Sequence, residues 1–164
     1  MRISVRTTLS CALVTMLVGC SEASEIEDLD SISQASSVVG SWSSTIPKVG
    51  DGTYKCSSTI PLNDAKKVVM QVCTRVYGHS TQAVGIIYNG NDWTTGVSGD
   101  VFLNAPKVYN DYQCNGNVPA HAQRACWTAT YTEASGATVS GLFYARTTAG
   151  ASWTSISVGE RTIP

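Results

Sequence analysis

His79 and His121 are the only histidines in the chain, and histidine is the side chain that titrates near neutral pH without help, so acid–base chemistry would start with them. A hydrolase triad would need one of them beside a carboxylate and an activated serine or cysteine. No Gly-x-Ser-x-Gly elbow is present; Gly96-Val97-Ser98-Gly99 lacks the spacing. His79 falls in an expected turn and His121 just after Pro119, so both read as surface-loop histidines. Asp92, Asp100, Asp111 and Glu133 could supply paired carboxylates for glycoside hydrolysis. All four fall near expected turns, where carboxylates are used for local hydrogen bonds. Asn89-Gly90-Asn91-Asp92 lacks the register and closing glutamate of a calcium loop. No Gly-rich phosphate loop follows a strand. The expectation is a domain with no catalytic residues, no metal and no cofactor.

The cysteines carry the rest of the chemistry. There are six, with no Cys-x-x-Cys and no closely spaced Cys/His set, which argues against zinc and redox roles. Cys11 lies inside an apolar run, Leu9 to Val18, that follows Arg2 and Arg6. Such a run is too short to span a hydrocarbon core of roughly 30 Å as a helix and has the order of a targeting segment. It ends in Leu17-Val18-Gly19-Cys20. This tetrapeptide resembles the lipobox of bacterial lipoproteins, with Leu17 three before the cysteine and the small Gly19 one before it. The resemblance covers about 20 residues and implies removal of residues 1–19 and lipidation of Cys20. The competing reading is a soluble secreted protein cut later, after Ala23. Lipidation of Cys20 leaves Cys56, Cys73, Cys114 and Cys126, an even number suited to an oxidising compartment. Two or three acyl chains, at about 0.8 kcal/mol per buried CH₂, hold a protein stably at a membrane. Ser21 lacks the aspartate that marks inner-membrane retention in enteric bacteria, so the expected location is the cell envelope, at the outer membrane or cell surface.

Residues 20–38 read as the lipidated cysteine and a solvated tether. Glu22, Glu25, Glu27, Asp28 and Asp30 cluster there with no basic residue among them. From residue 39 onward nine Lys/Arg face seven Asp/Glu, a balance of +2. That is too weak for electrostatic binding of nucleic acid. The expected partners are the membrane, through the anchor, and a glycan or a protein.

Residues 39–164 are rich in β-formers, with turn signals every eight to twelve residues. Val38 to Trp42 reads as the first strand and Lys66 to Tyr77 as the longest. In the latter Val68, Met70, Val72, Thr74 and Val76 share one face. Asn89-Gly90 reads as a hairpin turn, and Trp93 to Asn104 as two strands broken near Gly99. The two halves, about 53–95 and 111–155, match in outline. Tyr54-Lys55-Cys56 matches Tyr112-Gln113-Cys114, Gly85-Ile86-Ile87-Tyr88 matches Gly141-Leu142-Phe143-Tyr144, and Trp93-Thr94 matches Trp153-Thr154. Four cysteines allow three pairings. If each half is self-contained, Cys56 pairs with Cys73 and Cys114 with Cys126, each as a cross-strand bridge on a hairpin.

The fold expected is all-β, an antiparallel sandwich, loosely immunoglobulin-like, of about nine strands with an approximate two-fold internal sequence repeat. Trp127 alternates with Ala125, Ala129 and Tyr131 and reads as core. Trp93 and Trp153 lie beside turns at matching places in the two halves. They are the candidate binding surface, a pair of aromatic platforms, unless both merely plug the ends of the sandwich. The leading functional reading is a lipid-anchored, non-enzymatic binding or structural domain of the cell envelope. The alternatives are a secreted hydrolase and an inhibitor-type protein with a soluble mature form.

Overall fold

The computed structural model describes residues 38–46, 53–106 and 108–164. The expected targeting segment, Cys20 and all but Val38 of the expected acidic tether lie outside the described residues. Eleven strands are present among those described: β1 (Val38–Gly40), β2 (Thr53–Cys56), β3 (Ile60–Leu62), β4 (Ala65–Tyr77), β5 (Ser80–Asn89), β6 (Thr95–Ala105), β7 (Val108–Val118), β8 (Gln123–Trp127), β9 (Tyr131–Thr132), β10 (Thr138–Thr147) and β11 (Thr154–Thr162). They form two sheets packed face to face, so the domain is an all-β sandwich. Sheet A has the order β1-β7-β6-β10-β11, and sheet B the order β2-β4-β5-β8 with β3 also on β4 and β9 also on β5. Every pairing is antiparallel except β1 with β7. No helix among the described residues is long and apolar enough to cross a membrane.

The core follows from alternation. Val68, Met70, Val72 and Val76 of β4 are buried and face the opposite sheet, as their period of two requires. They meet Val97, Val101 and Leu103 of β6 and Phe143 of β10. Gly99 does not break β6. The strand runs unbroken from Thr95 to Ala105, and the glycine makes room for rings. A Cβ there would lie 2.8 Å from both Phe143 and Trp42, and one at Gly85 on the facing sheet 2.9 Å from Phe143. A glycine inside a strand can mark such a close approach rather than a break.

Asn89-Gly90 is also not a hairpin. Residues 90–94 carry the chain from β5 in sheet B to β6 in sheet A. The β7–β8 connection crosses back to sheet B, and the β9–β10 connection returns to sheet A. Tight hairpins form elsewhere: β4–β5 turns through Gly78 and His79 between the paired Tyr77 and Ser80, and β6–β7 turns between the paired Ala105 and Val108.

The disulfides are Cys56–Cys73 and Cys114–Cys126. The first is a cross-strand bridge, since Cys56 and Cys73 are register partners on β2 and β4. The second differs from expectation, because β7 and β8 belong to different sheets and the bond joins sheet to sheet. Of the matching segments, Tyr54–Cys56 and Gly85–Tyr88 lie in sheet B, whereas Tyr112–Cys114 and Gly141–Tyr144 lie in sheet A; Trp93 stands in the crossing between the sheets and Trp153 in the β10–β11 loop. In the chain-entropy account each bond contributes roughly 3 kcal/mol by restricting the unfolded chain.

The side of the sandwich where β7 and β8 form the sheet margins is closed by the N-terminal segment. β1 pairs with Tyr112 to Cys114 of β7, and three residues later Ser43 exchanges two backbone bonds with Ala125 of β8. Between these anchor points Trp42 turns inward instead of extending the strand. Its indole is buried, packs edge-on against Phe143 with centroids 6.3 Å apart, and donates to the Val97 carbonyl at 2.9 Å. Trp127 sits elsewhere, half-buried on the outer face of sheet B in a small cluster with Val84 and Ala125.

Candidate functional site

One end of the sandwich, here the upper end, gathers the β3–β4 turn, the β5–β6 corner, the β7–β8 loop and the β10–β11 loop. Asn89 organises it. The side chain is fully buried, and its Nδ2 donates toward the carbonyls of Trp93 (2.8 Å), Val118 (3.0 Å) and Pro119 (3.2 Å). Its Oδ1 accepts from the Asn91 backbone N–H (3.1 Å) and the Thr95 hydroxyl (3.3 Å). One side chain thus takes up the backbone groups that a strand-to-strand crossing leaves without ladder partners.

The β10–β11 loop is tied down as firmly. Asp64 of the β3–β4 turn accepts from the Thr147 backbone N–H (3.1 Å) and hydroxyl (2.8 Å). Thr148 N–H donates to the Gly96 carbonyl at 2.9 Å, and Asn63 Nδ2 to that of Trp153 at 3.1 Å. Between these loops lies an open cleft of about 550 Å³, lined by Asp64, Lys66, Lys67, Asn91, Trp93 and Thr95 with the Thr147–Ala149 turn. That falls within the roughly 300–1,000 Å³ of ligand-binding clefts. Trp93 stands at its rim with 62% of its surface exposed.

The two candidate tryptophans occupy the same end but different settings. Trp153 is 39% exposed, and the Arg146 guanidinium lies 4.6 Å from its ring centroid, a cation–π contact that occupies one face. Trp93 has no comparable partner covering its ring among the described residues. The Trp93 backbone carbonyl is held by Asn89 while its indole remains in solvent.

The titratable candidates are dispersed. His121, in the left-handed region at φ 53°, pairs through Nε2 with Asp92 Oδ1 at 3.0 Å. Both are mostly exposed, at 58% and 73%, so the pair sits in high dielectric and contributes at most about 1 kcal/mol. His79 lies at the opposite end of the sandwich, where its Nδ1 contacts the Glu133 backbone carbonyl at 3.1 Å. Among the described residues no serine, threonine or cysteine side chain hydrogen-bonds either imidazole. Glu133 is buried beside His79, away from the cleft, and its Oε1 has no hydrogen-bond partner. No group of three or more His, Cys, Asp or Glu positioned for a metal occurs among the described residues.

Asp100 and Asp111 depart from their expected place near turns. Each lies within a strand, on β6 and β7, and both face outward from sheet A. Partial burial, then the negative charge of Asp111, raise the Asp100 carboxyl above the ordinary value of 3.8, and Arg146 pulls it partly back. The folded chain therefore holds this proton more tightly than the unfolded chain. The resulting stabilisation is present below pH 3.8 and is lost as pH rises through the raised value. Asp100→Asn should raise the melting temperature at pH 7 by about 2 °C at most, given the solvent exposure, and the gain should vanish at pH 3.5. Thermal melts at the two pH values decide it; a gain of equal size at both would refute the assignment.

Lys66, Lys67, Asn91 and Asp64 were not legible as site residues, because nothing local marks them. The lysines read as the start of a strand, and Asn63-Asp64 as a simple break. Asn91 and Trp93 join them only through the crossing at residues 90–94. No protein-family model matches the chain, and no curated protein matches it in sequence.

Proposed function

We propose that this is a lipid-anchored protein of the bacterial cell envelope whose sandwich is a non-enzymatic binding domain, engaging its ligand through the upper end. The observation that carries the reading is Trp93: a large indole in solvent, on a backbone fixed by a buried asparagine, at the rim of an open cleft. Exposed aromatic surface on a rigid support is a feature of recognition sites. Solvation of the His121–Asp92 pair argues against hydrolysis, since acid–base activation gains its strength where water is excluded. Two disulfides suit an extracytoplasmic, oxidising location. The Leu17-Val18-Gly19-Cys20 resemblance supplies the anchor, at Cys20.

Two measurements test it. Intact mass of the protein extracted from membranes should show cleavage before Cys20, added acyl mass there, and an increase of about 4 Da on reduction of the two disulfides. A soluble, unacylated product would refute the anchor. Binding to whole envelopes should fall at least tenfold in Trp93→Ala and less in Trp153→Ala, with stability changed by under about 0.5 kcal/mol in the former. Undiminished binding by the double variant would refute the upper end as the contact.

A further inference from the structure

We infer that the ligand of the upper-end cleft is an acidic glycan, a sugar chain carrying carboxylate or sulfate groups; this rests on the binding-domain reading above. Trp93 offers an indole face to a ring with an apolar side, which is how pyranose rings are held. The charge across the cleft is not balanced. Lys66 and Lys67 both line it, and neither has an ion-pair partner among the described residues. The one acid of the lining, Asp64, is already engaged by the N–H and hydroxyl of Thr147. Two lysines against one carboxylate leave the cleft with a net charge of +1. Asn91 lies at its base, buried, with its Nδ2 donating to Thr95 at 3.2 Å.

These parts select against other ligands. A neutral glycan would use the indole and leave two ammonium groups without a counterpart. A nucleic acid would use both, but the folded region carries only nine Lys/Arg against seven Asp/Glu, without the extended basic track that phosphate backbones require. An apolar protein segment would have to desolvate the lysines. The open shape of the cleft suits a chain laid across the end of the domain rather than a small molecule enclosed in it.

The test uses the full chain, as purified, against two matched pairs of polymers: polygalacturonate with its methyl ester, and dextran sulfate with dextran. The expected result is binding of an acidic member about tenfold tighter than its neutral counterpart at low ionic strength, weakening as salt is raised. Lys66→Gln/Lys67→Gln should remove that tenfold preference, the effect expected of two solvent-exposed charge contacts, and leave the neutral counterpart unaffected. Trp93→Ala should weaken both members of the pair. Preference for carboxylate over sulfate, or the reverse, identifies the acidic group. Equal binding within both pairs, or a preference that survives the double lysine substitution, overturns the acidic assignment while leaving the binding end intact. Binding of neither acidic polymer, or tighter binding of a single-stranded oligonucleotide, overturns the glycan assignment. If binding to envelopes is also unaffected by Trp93→Ala, the underlying reading falls with it.

Discussion

Trp42→Ala lowers the free energy of unfolding by about 3–5 kcal/mol, measured by urea denaturation under non-reducing conditions. That is a large share of the 5–15 kcal/mol typical of a domain. The cost has three sources. A buried indole leaves a cavity between Gly99 and Phe143, the edge-on ring contact is lost, and the Val97 carbonyl loses a donor at 2.9 Å. The position also joins two anchor points, β1 on β7 and Ser43 on β8, so loosening Trp42 weakens closure of that side of the sandwich. Trp42→Phe separates the contributions: it keeps an aromatic ring and removes the hydrogen bond, and should cost about 1–2 kcal/mol. A loss under 1 kcal/mol for the alanine variant would show that the N-terminal segment is not part of the cooperative unit.

The second large effect is expected at Asn89. Asn89→Ala should destabilise by about 3 kcal/mol, because it strips partners from the carbonyls of Trp93, Val118 and Pro119 and from the Asn91 N–H in one step. Asn89→Asp should be no better, since it points a second acceptor at three carbonyls. The substitution also has a functional readout. With the corner loosened, Trp93 loses its fixed backbone, and binding to envelopes should fall even under conditions where the variant remains folded. Asn91→Ala, which removes the single donor to Thr95, should cost about 1 kcal/mol. Equal effects at the two positions would show that Asn89 has no special role in the corner.

The parts of this fold that were legible are those decided by neighbours in sequence. The alternation from Val68 to Val76 assigns β4 and its buried face without reference to any other strand. The turn at Gly78-His79 likewise follows from local conformation. What could not be read is where the chain changes sheet. Asn89-Gly90 is a reversal signal in a peptide, but whether the next strand returns to the same sheet depends on the carbonyl at residue 93 and on those at 118 and 119, which arrive from a distant segment. Gly99 looked like a break because its reason, the rings of Trp42 and Phe143, lies 57 and 44 residues away. The same holds for the site. Trp93 was visible from its type and its turn, whereas the lysine pair joined it only through the crossing.

The parallel pairing of β1 with β7 has a mechanical meaning. β7 runs toward the upper end, so β1 does too, and the chain enters the domain heading toward that end. In a domain leashed through its N-terminal side and gripped at its upper end, tension pulls β1 back along its own axis. The bonds between β1 and β7 then bear the load together, in shear, instead of opening one after another. Behind those few bonds stands Trp42, wedged between the sheets, and the Ser43 pairing passes part of the force to the second sheet. Forced detachment is governed by the rate of unfolding rather than by equilibrium stability. If the proposed anchor and upper-end contact both hold the domain, the N-terminal strap is placed where the load would first arrive, and its strength under tension would set how long the domain keeps hold.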